Sequence, residues 1–249
     1  MTSPLKPTAV VVGVGVEQGL GAALCRKFAA QGHHVLAAGR TREKLSRVVA
    51  TLTAAGGSGE AIVTDTTQEA DVARLFDRAM APGNGFAPVD LVVFNAGNNR
   101  PMPFRDVDAA MFEDFWRVGC FGGFLVGREA ARRMVPQGGG TVIFTGASAS
   151  LRGKAGFAHF AAAKAGLRMI SQGMAREFGP QGLHVAHVLI DGGIDGERVH
   201  TLAPERVKAL GEDGLLNIDA IAETYWQLHR QHRSAWTQEV DLRPFKESF

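Results

Sequence analysis

The chain has little of what would staple, anchor or polarise it. Only two cysteines occur in 249 residues, Cys25 and Cys120. Both lie in apolar, helix-patterned stretches, which argues against a disulfide framework or a cysteine metal site and predicts two buried thiols in a reducing compartment. No metal site is predicted. Charge of one sign is also missing: 27 Lys+Arg against 25 Asp+Glu leave a net +2, with no block of like charges, so neither nucleic acid nor an anionic membrane is a predicted partner. No window is apolar for long enough to span a bilayer, and the stretch from Met1 to Pro7 has no signal-like apolar core, which predicts a cytoplasmic protein. Tyrosine occurs once, at Tyr225, and that scarcity matters below.

What is present is repetition of one unit. Short apolar runs rich in Val, Ile and Ala alternate with turns and amphipathic helices, the pattern of parallel βαβ construction. Predicted strands are Ala9–Val12, Val35–Ala38, Ala61–Thr64, Leu91–Phe94, Thr141–Thr145, Val185–Ile190 and one near Val240. Leu20, Leu24 and Phe28 make one helical stripe, stopped near Gly32; Val72, Leu75, Phe76 and Met80 make another. Two longer helical patterns, Ala109–Met134 and Phe157–Phe178, are rich in Ala and Gly and suit close packing, inside the chain or between copies of it. The expected fold is α/β: a single-domain, Rossmann-type, doubly wound parallel sheet of about seven strands with helices on both faces. The polar stretch 196–217 is the irregular one, expected either to cover a ligand as a lid or to form a surface helix pair.

The first strand runs into Gly13-Val14-Gly15-Val16-Glu17-Gln18-Gly19-Leu20-Gly21, and a helix follows. A strand-to-helix turn of this kind lets backbone approach a pyrophosphate, which then meets the unpaired N–H groups and positive end of the helix. The spacing of Gly15, Gly19 and Gly21 resembles that of the short-chain dehydrogenase/reductase family, and the resemblance covers nearly the whole chain. It implies a nicotinamide dinucleotide held by Gly15, Gln18, Gly19, Leu20 and Gly21. It also implies that Asp65 and Thr66 lie beside the adenine, that Asn95, Ala96 and Gly97 form the turn after the fourth strand, and that Ile194 lies at the nicotinamide carboxamide, with Asp191 where the family has proline. After the second strand, Arg40 stands where an NAD enzyme would carry a carboxylate for the ribose hydroxyl. NADP(H) is therefore the predicted cofactor, ahead of NAD(H).

The same resemblance implies a serine, a helical asparagine and a tyrosine four residues before a lysine. Lys164 is present, but the other three positions are Ala147, Gly119 and Phe160. Replacement donors are sought in Ser148, beside Ala147, in His159 and in Asp191. Two functions remain open: an oxidoreductase passing hydride to or from a small carbonyl or alcohol by an unusual proton path, and a cofactor-binding sensor or subunit that kept the fold without the chemistry. The Ala- and Gly-rich faces of the two longer helical patterns suit pairing between copies, so a homodimer or homotetramer is expected.

Overall fold

The computed structural model describes residues 5–83, 85–97 and 99–247. In chain order these form β1 (Lys6–Val12), α1 (Leu20–Ala30), β2 (His34–Gly39), α2 (Arg42–Ala54), β3 (Ser58–Val63), α3 (Glu69–Met80) and β4 (Phe86–Phe94). There follow α4 (Ala109–Trp116), α5 (Gly122–Met134), β5 (Gly140–Thr145), α6 (Ala158–Phe178), β6 (Leu183–Ile190) and β7 (Ile194–Asp195). The chain continues through α7 (Glu197–Leu202), α8 (Pro204–Leu210), β8 (Leu216–Asn217), α9 (Ile218–His229) and β9 (Glu239–Leu242). Seven strands make one sheet in the order β3-β2-β1-β4-β5-β6-β9, and each neighbouring pair is parallel. The predicted fold class is the observed one.

Parallel strands covered on both faces must be apolar on both. In β1, Ala9 and Val11 join the layer beneath α1, α2 and α9, while Val10 and Val12 join the layer beneath α3, α5 and α6. Each predicted strand is found, several of them longer than expected. The largest extension is β4, predicted from Leu91 but starting at Phe86. It runs through Pro88, which has no N–H to give a ladder, and its register with β1 shifts at Thr8 beside that proline. The helix α2, with Leu45, Val48 and Leu52 buried, adds an amphipathic element that the sequence reading had not marked.

The long helical pattern from Ala109 to Met134 is not one helix. A π-helical turn at Arg117–Phe121 separates α4 from α5, and Gly119, Gly122 and Gly123 cluster there. The glycines serve packing within the chain: a Cβ at Gly119 would lie 3.1 Å from Ala163 Cβ, one at Gly127 would lie 2.6 Å from Met174 Sδ, and one at Gly166 would lie 2.5 Å from Cys120 Sγ. Small residues therefore let α5 and the π turn press on α6. Both cysteines are buried and free. The stretch 196–217 is not irregular; it holds α7, α8 and β8, and β8 pairs with β7.

The sheet reverses its direction of growth between β1 and β4, and there the two strand ends meet a third turn without intervening side chains. Gly13 sits at φ +90°, and a Cβ on it would fall 2.5 Å from Ala96 N and 2.6 Å from Asn95 C. Neither atom can move aside, since both are backbone. We predict that Gly13→Ala lowers stability by about 2–3 kcal/mol, the sum of an unfavourable dihedral and a backbone overlap. An unchanged urea midpoint would show that the two turns can part without cost.

Candidate active site

The crevice outside the carboxyl ends of β1 and β4 is where ligands bind in doubly wound sheets. A cleft of about 230 Å³ lies there, floored by Val12, Gly13, Val14 and Gly15 and walled by Asn95, Ala96 and Gly97. The cleft fits a dinucleotide on three counts. A Cβ at Gly15 would meet nothing within 4 Å, so its backbone is open to a ligand. A Cβ at Gly21 would lie 2.8 Å from Gly13 O, so that glycine brings α1 onto the end of β1. The helix α1 starts after Gly19 with no side-chain cap and no acidic residue in its first turn, which leaves its amides and positive end available to phosphate. Leu20 itself is buried and holds the helix to the core; Gln18 contributes its carbonyl, which accepts from Glu197 N at 2.8 Å.

At the other end of the cleft, Arg40, Thr41 and Lys44 form the mouth. All three are exposed. Lys44 was not picked out from the sequence; it lies in the first turn of α2, and a residue placed there shares the mouth with Arg40. Thr64, Asp65 and Thr66 line the adjoining wall. Asp65 uses Oδ1 to accept from Thr67 N at 2.9 Å and Thr67 Oγ1 at 2.8 Å, so half of its carboxylate is spent on its own turn. Asn95 likewise turns its amide inward, Nδ2 donating to Gly13 O at 3.4 Å. Ile194 is half-buried in β7, in register with Leu216, and packs on the core layer beneath α9.

The inner end of the site is Lys164, on α6. Its ammonium is almost wholly buried and donates to Thr145 O at 2.6 Å. A Cβ on Gly97 would stand 3.5 Å from Nζ, so glycine there opens the space beside the amine. Burial without a nearby carboxylate pulls the Lys164 pKa down to about 8. The Phe160 ring centroid is 5.9 Å from Nζ, within the range of a cation–π contact. Thr145 also reaches the opposite layer: its hydroxyl lies 2.8 Å from Tyr225 Oη. Tyr225 is fully buried and its phenol pKa is pushed up by burial. The only tyrosine is therefore a core residue one hydrogen-bonded residue removed from Lys164.

The three candidate replacement donors fare differently. Ser148 is half-buried at the end of β5, in a 3-10 turn, and its hydroxyl has no protein partner among the described residues. His159 is 1% exposed; Nε2 is 2.9 Å from Arg100 O and the ring stands edge-on to Phe115. That imidazole is an internal anchor, turned away from the Lys164 amine by its place on the helix. Asp191 is buried and takes Arg152 Nη2 at 2.9 and 3.1 Å, with Arg243 Nη2 at 3.5 Å. Its carboxylate is neutralised rather than free. Arg152, half-exposed, is a cation that no sequence pattern singles out, because its partner lies in a loop 39 residues away.

The sequence profile of the short chain dehydrogenase family matches residues 8–207. The oxidoreductase YuxG of Bacillus subtilis is 32% identical over 207 residues, covering 81% of this chain and 30% of that protein, so the chain spans under a third of that relative's length. A short-chain dehydrogenase crystal structure from Rhodopseudomonas palustris superposes with a TM-score of 0.82 at 39% identity, covering 97% of this chain and 100% of that one. A metagenomic short-chain oxidoreductase in complex with NADP does so at 0.79 and 25% identity, covering 98% and 100%. Since the profile match runs from β1 into α8 and the superposition extends over the whole sheet, the chain belongs to the short-chain dehydrogenase family and is an oxidoreductase of that type.

Proposed function

We propose that this protein binds NADP(H) and passes hydride to or from a small carbonyl or alcohol without a tyrosine proton donor. The observation that carries the proposal is the cleft itself, with Arg40 and Lys44 at its mouth, Gly13 to Gly15 on its floor and Gly97 on its wall; the uncapped start of α1 follows that floor, and a Cβ on Gly97 would stand 3.5 Å from Lys164 Nζ. When bound, the nicotinamide supplies or accepts the hydride. The protein's share is to hold it. Arg40 and Lys44 offer paired cations to a 2′-phosphate, and no carboxylate competes with them at the end of β2. The NADP carried by the metagenomic relative supports the same preference.

Asp65 and Thr66 wall the adenosine side, the turn Asn95-Ala96-Gly97 sets the cleft's depth, and Ile194 closes the nicotinamide end. Lys164 directs its ammonium at the ribose side of that end. Ser148 is the nearest hydroxyl to the vacant serine and tyrosine positions and is the residue assigned to hydrogen-bond the substrate oxygen, with His159 positioning the helix beneath it. The segment 196–217 acts as the lid: Glu197 N is bonded to Gln18 O, and Arg198 donates to Asn99 O, so its first turn bridges both rims. Exposed Phe112, Trp116 and Phe124 on α4 and α5 suit a contact between copies in a homodimer or homotetramer. Two free buried thiols suit a reducing compartment such as the cytoplasm.

A second reading has its own observation. Ala147, Gly119 and Phe160 place no ionisable side chain beside Lys164, and Asp191 is held by arginine. A cofactor-loaded sensor or subunit needs no more than that.

Three measurements separate these possibilities. Fluorescence titration should give NADPH a dissociation constant at least about tenfold below that of NADH, and Arg40→Asp should reverse the order, since a paired cation and a charged oxygen are worth about 1.5–3 kcal/mol. Equal affinities would remove the case for NADP. The pH dependence follows from Lys164: a depressed ammonium is fully protonated below about 8 and loses its proton as pH rises through that value. NADPH affinity should fall by up to about tenfold as pH rises through that value, while Lys164→Met shows no such inflection and binds at every pH about as weakly as the wild type does on the alkaline side. Finally, Phe160→Tyr restores a phenol one helical turn from Lys164. Turnover on a panel of carbonyls and enones should rise by about 10²- to 10⁴-fold; NADPH binding with no turnover in either protein would establish the sensor.

A further inference from the structure

The opposite end of the sheet, away from the glycine turn, brings together three side chains that the nucleotide cleft does not use. His33 lies in the turn between α1 and β2, Asp90 on the entry half of β4, and His229 is the last residue of α9. One possible ligand atom from each falls within 4.8 Å of the other two. His33 Nε2 is 3.1 Å from Asp90 Oδ1, and His229 Nε2 is 3.9 Å from Asp90 Oδ2. The second distance is too long for a hydrogen bond. Around one tetrahedral ion, donors about 2.0–2.1 Å from the metal stand about 3.3–3.4 Å apart, so the half-exposed carboxylate has only a short distance to close.

The surroundings orient the donors. His229 Nδ1 is 3.0 Å from Thr141 Oγ1, which occupies that nitrogen and leaves Nε2 facing the carboxylate; a hydrogen bond on the far nitrogen is what fixes a metal-ligating imidazole. Trp226 stands edge-on to the His33 ring at 5.7 Å and tilted against the His229 ring at 5.4 Å, forming an apolar wall behind both. Exposure rises across the group, from 3% for His33 through 13% for His229 to 40% for Asp90. The carboxylate side is thus the entrance, with room for water to complete the shell.

We propose that His33, Asp90 and His229 form a divalent transition-metal site of two imidazoles and one carboxylate. The donor set selects Zn²⁺, Co²⁺ or Ni²⁺ over the oxygen-seeking Mg²⁺ and Ca²⁺. The ion ties the end of α9 and the α1–β2 turn to β4, and acts as a brace rather than as part of the hydride chemistry, which sits at the other end of the strands.

The test uses the full chain without a polyhistidine tag, titrated with Zn²⁺ by calorimetry and with Co²⁺ by visible absorption. The expected result is one ion per chain, a thermal midpoint that rises with Zn²⁺, and no competition from Mg²⁺. Asp90→Asn and His229→Ala should weaken Zn²⁺ binding by more than tenfold, and Thr141→Val, which touches only the supporting bond, by about 10- to 100-fold. NADPH titration should be unchanged in all three. Because Asp90 is the most exposed of the three, its variant keeps the test valid should His229→Ala fail to fold. Absence of saturable binding, Zn²⁺ affinity undiminished in Asp90→Asn, or displacement by Mg²⁺ would overturn the assignment.

Discussion

The structure depends on a backbone-to-backbone contact at the point where the sheet changes its direction of growth. Gly13 and Val14 both donate to Ala38 O, at 2.9 and 3.0 Å, while Gly13 lies against the Asn95–Ala96 peptide on the other side. A Cβ on Gly39 would meet Val14 O at 2.5 Å. Three strand ends therefore converge with no side chain between them. The start of α1 follows that convergence with no side-chain cap on its amides, which is a physical requirement for receiving a phosphate. Had any of these positions carried a side chain, the helix would stand off the sheet and the crevice would fill.

The parts of the fold that follow from burial on both faces were legible in the chain. Runs such as Ala9–Val12 and Val185–Ile190 admit few other structures, because a two-sided apolar strand needs helices over both faces. The errors have local causes. Pro88 hides the first half of β4, since proline reads as a strand breaker and only the tertiary bulge accommodates it. Composition does not mark the break at Arg117–Phe121, because the backbone stays right-handed helical on both sides of the π turn. The helices of 196–217 are short and polar, held by their contact with Gln18 and Asn99 rather than by a stripe of their own.

The site was legible where it consists of backbone and obscure where it consists of side chains paired over long distances. Gly15, Gly19 and Gly21 announce themselves by spacing, and Arg40 by the absence of an acid. Nothing in spacing shows that Asp191 is neutralised by Arg152, that Thr145 joins Lys164 to Tyr225 across β5, or that His33, Asp90 and His229 converge, because each pairing links elements that only the finished sheet brings together. His159 shows the limit of a candidate chosen by residue type: its bond to Arg100 O, between elements 59 residues apart, makes it an anchor.

Lys164 is the residue through which the two halves of the site must be reconciled. A buried ammonium with no carboxylate partner is costly, as its lowered pKa records. Among the described residues, the charge is offset by the Thr145 carbonyl and the face of Phe160. In a site whose lysine served mainly to acidify a tyrosine, loss of that tyrosine would remove the reason for bearing the cost, and a neutral side chain would pack as well. The ammonium beside Gly97 therefore points to a role that does not depend on a phenol. Holding a nucleotide would be such a role, because an ammonium beside the cleft wall can serve binding whatever residue stands at Phe160.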